Sequence, residues 1–144
     1  MLKKLLLCFA VATVSLCSYA DDYTHDSSVL PQAARDVIHN NFKARISVVK
    51  IDKDFGRISE YEVVLTDGSE IQFDSKGNWK DIEASRGNAV PKAFVPSAIQ
   101  SYVDRNQKGT KIVGIERKRS GYEIELSNGI DMKFDKNGNF KRYD

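Results

Sequence analysis

The feature that most constrains the fold of this chain is the similarity between its two halves. Three segments of the first half return in the second half, in the same order and at nearly the same spacing. The matching pairs are AARDVIHNNF (33–42) with AIQSYVDRNQ (98–107), EYEVVLTDG (60–68) with GYEIELSNG (121–129), and FDSKGNWKDI (73–82) with FDKNGNFKRY (134–143). Self-similarity of this kind indicates one folding unit used twice. We therefore predict two repeats, at 28–84 and 90–144.

Each predicted repeat begins with a helical pattern. In the first repeat, apolar residues recur at Ala34, Val37, Ile38 and Phe42, which is the spacing of one buried stripe on an α-helix. A proline precedes the pattern in both repeats, and proline is well tolerated at the first position of a helix because the N–H that it lacks would have no partner there. The sequence thus predicts one short helix per repeat.

The rest of each repeat alternates apolar and polar residues, which is typical of half-buried strands. The dipeptides Asp67-Gly68 and Asn128-Gly129 follow these patterns at once and favour tight hairpin turns. We predict an α+β fold, in which two αββββ repeats form an eight-stranded antiparallel sheet with both helices packed on one face. The residues expected on the helix-covered face are Val49, Ile51, Tyr61, Val63, Leu65, Ile71, Phe73, Trp79, Val113, Ile115, Tyr122, Ile124, Leu126, Met132, Phe134 and Phe140.

The repeated phrase Phe-Asp-x-x-Gly-Asn-aromatic-Lys has two interpretations, a turn and a calcium loop. Counted from Asp74, an EF-hand loop would place Lys76 at position 3 and Ser85 at position 12, where oxygen-rich ligands are needed. A type I turn explains the phrase better, because glycine adopts the left-handed conformation that closes such a turn. We expect Gly77 and Gly138 to act as turn residues, and we predict no metal ligands here.

The first residues of the chain have the features of an export signal. Two lysines precede an apolar run of about a dozen residues, and small residues precede Asp21. We predict a signal peptide at 1–20, cleaved after Ala20, a flexible segment at 21–27 and a single domain at 28–144. The run is too short to span a bilayer. Cys17 leaves lipid attachment open as an alternative. The predicted location is the periplasm.

Composition narrows the classes of partner. Removal of residues 1–20 takes away two lysines and both cysteines, and it leaves 20 basic and 20 acidic residues. A chain with no net charge lacks the basic footprint that nucleic-acid binding requires. Without cysteines, the mature chain must be stabilised by its apolar core alone.

The residues carry no recognisable catalytic motif. Glu123 and Glu125 are two residues apart on one predicted strand, so their α-carbons should lie roughly 6.6 Å from each other. This distance overlaps the spacing of the two carboxylates in glycosidases. Alternating glutamates are, however, ordinary on a solvent-facing strand. We therefore predict no enzyme activity, no catalytic residue and no cofactor.

The chain resembles the PepSY-like periplasmic proteins, which are grouped with the β-lactamase-inhibitory-protein fold. The resemblance rests on the export signal, the paired helix starts at Leu30-Pro31 and Val95-Pro96, and the YEVVLTDG, YEIELSNG and FD-x-x-GN segments. It implies a sheet with helices on one side and supplies no catalytic motif. It also implies a non-enzymatic protein that binds, and inhibits or escorts, an envelope protein such as a hydrolase or peptidase.

The sheet face opposite the helices is the candidate binding surface. It is polar, and a broad polar sheet suits a protein or peptide partner better than a small apolar ligand, which needs a pocket. The candidate residues are Glu62, Gln72, Lys80, Glu123, Glu125, Lys133 and Lys141. The alternative function is a periplasmic sensor of a small ligand or of calcium.

Overall fold

The computed structural model describes residues 22–144, over which the chain forms one antiparallel sheet of nine strands and two α-helices. The predicted signal peptide and its cleavage site lie outside the described residues. The helices are α1 (Gln32–Asn41) and α2 (Ser97–Asn106), with single 3-10 turns at Ser27–Val29 and Lys92–Phe94. The strands are β1 (Asp22–Thr24), β2 (Ile46–Asp54), β3 (Arg57–Leu65), β4 (Glu70–Asp74), β5 (Trp79–Glu83), β6 (Ile112–Lys118), β7 (Gly121–Leu126), β8 (Asp131–Asp135) and β9 (Phe140–Tyr143).

The strands lie side by side in the order in which they occur along the chain. Each helix lies in the connection between two neighbouring strands, α1 between β1 and β2 and α2 between β5 and β6. Pro31 and Pro96 directly precede the helices, and their carbonyl oxygens accept the first helical hydrogen bonds, from the N–H groups of Arg35 and Gln100. The proline signal therefore places both helix starts to within one residue.

Both helices contribute to a single apolar core with one face of the sheet. Ala34 and Ile38 of α1 and Ile99 and Val103 of α2 are buried in the same cluster as the alternating apolar residues of the strands. Aromatic contacts join the layers, because Tyr102 of α2 stacks on Phe140 at 4.6 Å and meets Phe134 edge-on at 5.6 Å between ring centroids. The α+β architecture is confirmed.

The predicted strand count of eight is wrong, because Asp22–Thr24 adds a ninth strand within the described chain. These residues lie in the segment predicted to be flexible, yet they pair with Val49–Ile51 of β2. The ring Nδ1 of His25, at 2.6 Å from the carbonyl oxygen of Ser47, adds a further contact to the same strand. A strand of three residues is too short to show an alternating apolar pattern, so no sequence pattern predicted it.

Bulges interrupt the sheet, and two of them change which apolar residues enter the core. In β5, Trp79 pairs with Phe73 but Asp81 pairs with Gln72, so Lys80 is an extra residue and Ile82 turns into the core, where it is fully buried. The register also shifts between Ile112 and Gly114, and it buries Ile112 more deeply than the predicted Val113. A bulge places two residues opposite one and reverses the faces beyond it.

The repeated Asp-x-x-Gly-Asn phrase forms the same turn in both halves, as predicted. The Oδ1 atom of Asp74 accepts hydrogen bonds from the N–H groups of Lys76 and Asn78, both at 2.9 Å, and Oδ2 accepts one from the Asn78 amide. The Asp135 carboxylate accepts the corresponding bonds in the second half. The division of the domain into two repeats, at 28–84 and 90–144, remains a prediction.

Candidate functional site

A row of side chains crosses the sheet on the face opposite the helices. Each member pairs with the next across neighbouring strands from β2 to β9, so the row is continuous. Its members are Lys50, Glu62, Gln72, Asp81, Glu116, Glu123, Lys133 and Arg142. They alternate along their strands with core residues such as Val63, Ile115 and Ile124, which fixes their direction away from the helices. We call this set the central row.

The structure brings four of the predicted site residues together in the central row. Glu62, Gln72, Glu123 and Lys133 lie at their expected places on β3, β4, β7 and β8. Glu125 lies in the adjacent row, where it pairs with Gly114 on one side and Asp131 on the other.

Lys80 and Lys141 are the extra residues of two matching bulges, in β5 and β9, and neither pairs within the central row. The Nζ atom of Lys80 lies 2.5 Å from Oε2 of Glu60, which is on β3. Lys141 is exposed and lines a depression of about 440 Å³ that it shares with Glu123, Lys133 and Arg142. The two lysines therefore lie beside the row and not in it.

Sequence reasoning missed Asp81 and Arg142, which take equivalent places beyond the two bulges. Strict alternation from Trp79 would have sent Asp81 to the helix side. The available signal was chemical, because an aspartate next to Ile82 cannot occupy a core position that isoleucine can fill. A strand register shifted by one residue would have placed Asp81 on the face opposite the helices.

The second half of the central row is tied by ion pairs around Glu123. This residue is 8% exposed, and its Oε1 atom lies 2.8 Å from the Nζ of Lys118 and 3.4 Å from that of Lys133. Burial opposes ionisation of Glu123, but the hydrogen bonds from the two lysines outweigh it and lower the pKa of the carboxyl. Lys133 also pairs with Asp144 at 2.7 Å. Glu123 was expected to be exposed, and it is instead buried between cations.

In the middle of the central row, a buried carboxylate has uncharged and acidic cross-strand neighbours instead of basic ones. Asp81 is 8% exposed, and its cross-strand neighbours are Gln72 and Glu116. Burial, followed by the negative charges of Glu116 and Glu83, raises the pKa of Asp81 to about 7. Burial also raises the pKa of Glu70, which pairs with Glu83 across β4 and β5. The sheet thus carries crowded carboxylates at its centre.

The carboxylates of the turns do not extend this acidic centre. Asp74 and Asp135 direct both oxygens to hydrogen bonds inside their own turns. Within residues 22–144, no group of three or more histidine, cysteine, aspartate or glutamate side chains is placed to hold a metal ion.

Comparison with known proteins now decides the family. The family model described as "Putative beta-lactamase-inhibitor-like, PepSY-like" matches residues 59–142. The chain belongs to this PepSY-like family. The match covers β4 to β8 completely and most of β3 and β9, and it therefore includes most of the central row. The family description is inhibitor-like and names no catalytic activity.

Solved structures resemble this PepSY-like chain over most of its length. One, described as a "putative periplasmic protein of unknown function" from Bacteroides vulgatus, is 40% identical, with a TM-score of 0.81, and the match covers 87% of this chain and 99% of that one. Another, described as a "putative calcium-regulated periplasmic protein" from Bacteroides thetaiotaomicron, is 35% identical, with a TM-score of 0.79 and coverages of 86% and 96%.

A second structure from Bacteroides vulgatus, also described as a "putative periplasmic protein", is 36% identical, with a TM-score of 0.76 and coverages of 87% and 98%. No curated protein matches this PepSY-like chain. The part of the chain that the structure describes holds no helix long and apolar enough to cross a membrane.

Proposed function

We propose that this chain is an exported periplasmic protein that binds a protein partner of the cell envelope on the open face of its sheet. In this proposal, binding inhibits or escorts the partner, which is a hydrolase or a peptidase. The inhibitor-like family description and the periplasmic relatives support the location and the kind of activity. The observation that carries the proposal is the central row, a continuous line of polar and mostly charged side chains across a sheet face that the helices leave open.

The distribution of charge on this face favours a macromolecular partner. Paired lysines lie towards both ends of the central row, Lys50 at 3.6 Å from Glu62 and Lys133 at 3.4 Å from Glu123. Carboxylates occupy the middle. A pattern that changes sign across several strands gives an extended partner a fixed register, since complementary charges steer binding and exclude wrong partners.

The proposed repeat fits this surface. Asp81 and Arg142 hold equivalent places beyond the bulges of the two halves, and they carry opposite charges. Two copies of one scaffold would in this way present a surface whose two halves differ in charge.

The calcium-responsive alternative has weaker support. The words "calcium-regulated" describe the relative from Bacteroides thetaiotaomicron. In this chain the repeated aspartates already accept three hydrogen bonds each within their turns, and residues 22–144 offer no metal-ligand cluster.

Photo-crosslinking in the native envelope tests the proposed function. A photoreactive amino acid at Gln72, in the middle of the open face, should yield a protein adduct that excess unlabelled protein competes away. The matched control places the same group at Ser101, which is exposed on α2. Identification of the adduct then allows the partner's hydrolytic activity to be measured with and without this protein. The proposal fails if Gln72 gives no competable adduct, or if Ser101 gives the same one.

Charge reversal should use Glu125→Lys rather than a change at Glu123. Glu125 is half-buried, so reversal of its charge should weaken the Gln72 adduct while leaving the fold intact. Reversal at Glu123 would instead bury a lysine beside Lys118 and Lys133 and so disturb the sheet itself.

A further inference from the structure

A cluster of cations lies where the open face meets the turn between β6 and β7. It lines two neighbouring depressions of about 440 Å³ and 520 Å³, which have Lys118 and Tyr122 in common. We propose that this cluster binds an acidic, extended segment of the partner. The inference rests on the proposed function and adds to it the chemistry of one part of the partner. The basic cluster consists of Lys118, Arg119, Lys133, Lys136, Lys141 and Arg142.

Only part of the positive charge of the basic cluster is balanced within the fold. Three of its cations form ion pairs with nearby carboxylates. The pairs are Lys118 with Glu116 and Glu123, Lys133 with Glu123 and Asp144, and Arg142 with Asp144. The other three cations, Arg119, Lys136 and Lys141, are exposed and form no ion pair within residues 22–144. The cluster therefore carries a surplus of positive charge.

The backbone of β7 maintains this surplus at Lys141. Its counterpart in the matching bulge of the first half, Lys80, lies 2.5 Å from the carboxylate of Glu60. The place that Glu60 takes on β3 is taken on β7 by Gly121. A Cβ atom at Gly121 would lie 2.0 Å from the carbonyl oxygen of Phe134, so no side chain fits there. The close approach of the strands thus excludes the carboxylate that would neutralise Lys141.

Two further charged residues at this end of the sheet are committed to the fold. Asp135 interacts electrostatically with Lys141, but its carboxylate accepts three hydrogen bonds inside its own turn. Arg117 lines the second depression, and its guanidinium lies 4.5 Å from the centre of the Trp79 ring. It also donates a hydrogen bond of 2.7 Å to the carbonyl oxygen of Trp79. These contacts hold a turn and a strand end, and they leave the exposed cations of the cluster available to a ligand.

The width of the basic cluster favours an extended segment over a small anion. Its members lie on β6, β8 and β9 and on the turns beside them, so the cluster crosses three strand spacings, or about 14 Å. An extended peptide rises about 3.3 Å per residue, so about four or five residues cover this width. Alternate side chains of such a peptide point the same way, which presents several carboxylates to the cations at once.

Acidic side chains also fit this surface better than the backbone of a nucleic acid. The carboxylates of Glu116, Glu123 and Asp144 lie among the cations and would repel a uniformly charged chain of phosphates. The cluster is moreover continuous with the proposed interface, because Lys133 and Arg142 belong to the central row as well. A protein bound along the row would therefore reach the basic cluster with an adjoining segment.

Peptide titration followed by NMR tests this inference without knowledge of the partner. The probes are three ten-residue peptides that alternate threonine with glutamate, with glutamine or with arginine, at 150 mM NaCl. The glutamate peptide should give saturable amide shifts at residues 118–121, 133 and 141–142, and the other two should not. Arg119→Gln combined with Lys141→Gln should weaken the glutamate peptide about fivefold or more, since one exposed charge contact contributes up to a factor of about five.

The matched control is Lys43→Gln combined with Lys108→Gln, which removes the same charge at exposed positions after the two helices and should leave binding unchanged. Equal binding of all three peptides, or equal weakening by the two double variants, would overturn the inference. Tighter binding of inorganic phosphate at the same residues would overturn it in favour of a small anion, and tighter binding of a ten-nucleotide oligothymidylate would do so in favour of a nucleic acid. A Gln72 adduct with no glutamate-peptide binding rejects this inference and leaves the proposed function standing; the converse result rejects the proposed function.

Discussion

At the scale of single residues, Gly77 and Gly138 serve both the turn and the packing of the helix. Both have positive φ, at 88° and 81°. A Cβ atom at Gly77 would lie 2.9 Å from the backbone N of Ala34 and from the Cβ of Pro31, at the start of α1. At Gly138 it would lie 2.9 Å from the Cβ of Ala98, at the start of α2. The repeated phrase therefore sets how closely each helix approaches the sheet.

We predict that Gly77→Ala destabilises the fold more than Gly129→Ala does. Gly129 also has positive φ, at 83°, but a Cβ there meets nothing within 4 Å. Its replacement should cost about 1–2 kcal/mol for the left-handed conformation alone. The replacement at Gly77 adds a clash with backbone and should cost measurably more. Urea denaturation of both variants measures the difference, and equal losses would show that helix packing does not depend on this glycine.

Asp81 should make the stability of the protein fall as pH rises. Its pKa is about 7 in the folded protein, against an ordinary value of 3.8, so the folded state holds more protons between these values. Stability is therefore highest below about pH 4 for this group and is lost as pH rises towards 7. The groups that face Asp81 are Glu83 on its own strand, Glu116 on β6, Glu60 on β3 and Gln72 on β4.

Asp81→Asn should accordingly stabilise the protein at pH 8, by an amount on the order of 2–4 kcal/mol, and change little at pH 4. Glu123→Gln is the control of opposite sign, since Lys118 and Lys133 lower the pKa of Glu123 in the folded state. Its loss of stability should appear at neutral pH and shrink as pH falls below about 4. Thermal melts over this pH range measure both. A destabilising Asp81→Asn at pH 8 would contradict the unpaired state of this carboxylate.

At the scale of elements, the turn between β2 and β3 contains a residue type that its backbone conformation disfavours. Phe55 and Gly56 form its tip with φ of 50° and 77°, a pair of left-handed positions that favours Asn-Gly. Phe55 is also fully exposed, so neither burial nor turn geometry favours phenylalanine here. The hairpin keeps an aromatic side chain at its tip at a cost to stability.

We expect Phe55→Asn to stabilise the protein by about 1 kcal/mol, because asparagine tolerates the left-handed conformation and no buried contact is lost. Chemical denaturation measures the gain. Lys53→Asn, on the same hairpin, is not a suitable control, because Lys53 forms an ion pair with Asp22. Asp54→Asn is the better control and should leave stability nearly unchanged. A loss of stability in Phe55→Asn would reveal packing of the ring that its exposure does not indicate.

At the scale of the whole molecule, the sheet is open and its first edge is protected by β1. The strand covers Val49–Ile51 of β2, a nine-residue strand that would otherwise present unpaired backbone groups. Asp22 adds an ion pair to Lys53 across the same edge. An uncovered edge strand is a template for pairing with another chain. The short N-terminal strand therefore protects the sheet from association.

Deletion of Asp22–Thr24 should increase amide exchange at residues 49–51 and produce concentration-dependent association. Hydrogen exchange measures the first effect and light scattering the second. Tyr23→Ala keeps the backbone pairing and should show neither, because the protection comes from main-chain hydrogen bonds. Unchanged exchange at residues 49–51 in the deletion variant would mean that β1 does not cover this edge in solution.

Local patterns in the sequence were sufficient for the turns and for the part of the core that lies away from the bulges. The alternation around Ile124 and Phe73 places both side chains in the helix-covered core, where each is fully buried. The turns at Gly77 and Gly138 follow from residues that are adjacent in the chain. These features depend on side-chain polarity and on backbone conformation over a few residues, which a single sequence displays directly. The same patterns located Glu62, Gln72, Glu123 and Lys133 on the open face.

The tertiary structure alone decided the features that depend on a neighbouring strand. The bulges at Lys80 and Lys141 arise from how two strands pair, and they carry Asp81 and Arg142 onto the open face. β1 forms because β2 offers it backbone partners, although its own residues carry no strand pattern. The burial and high pKa of Asp81 come from carboxylates on other strands, including Glu116, 35 positions away in the sequence. Local sequence patterns do not encode such pairings, because their energies come from backbone and charges that only the folded sheet brings together.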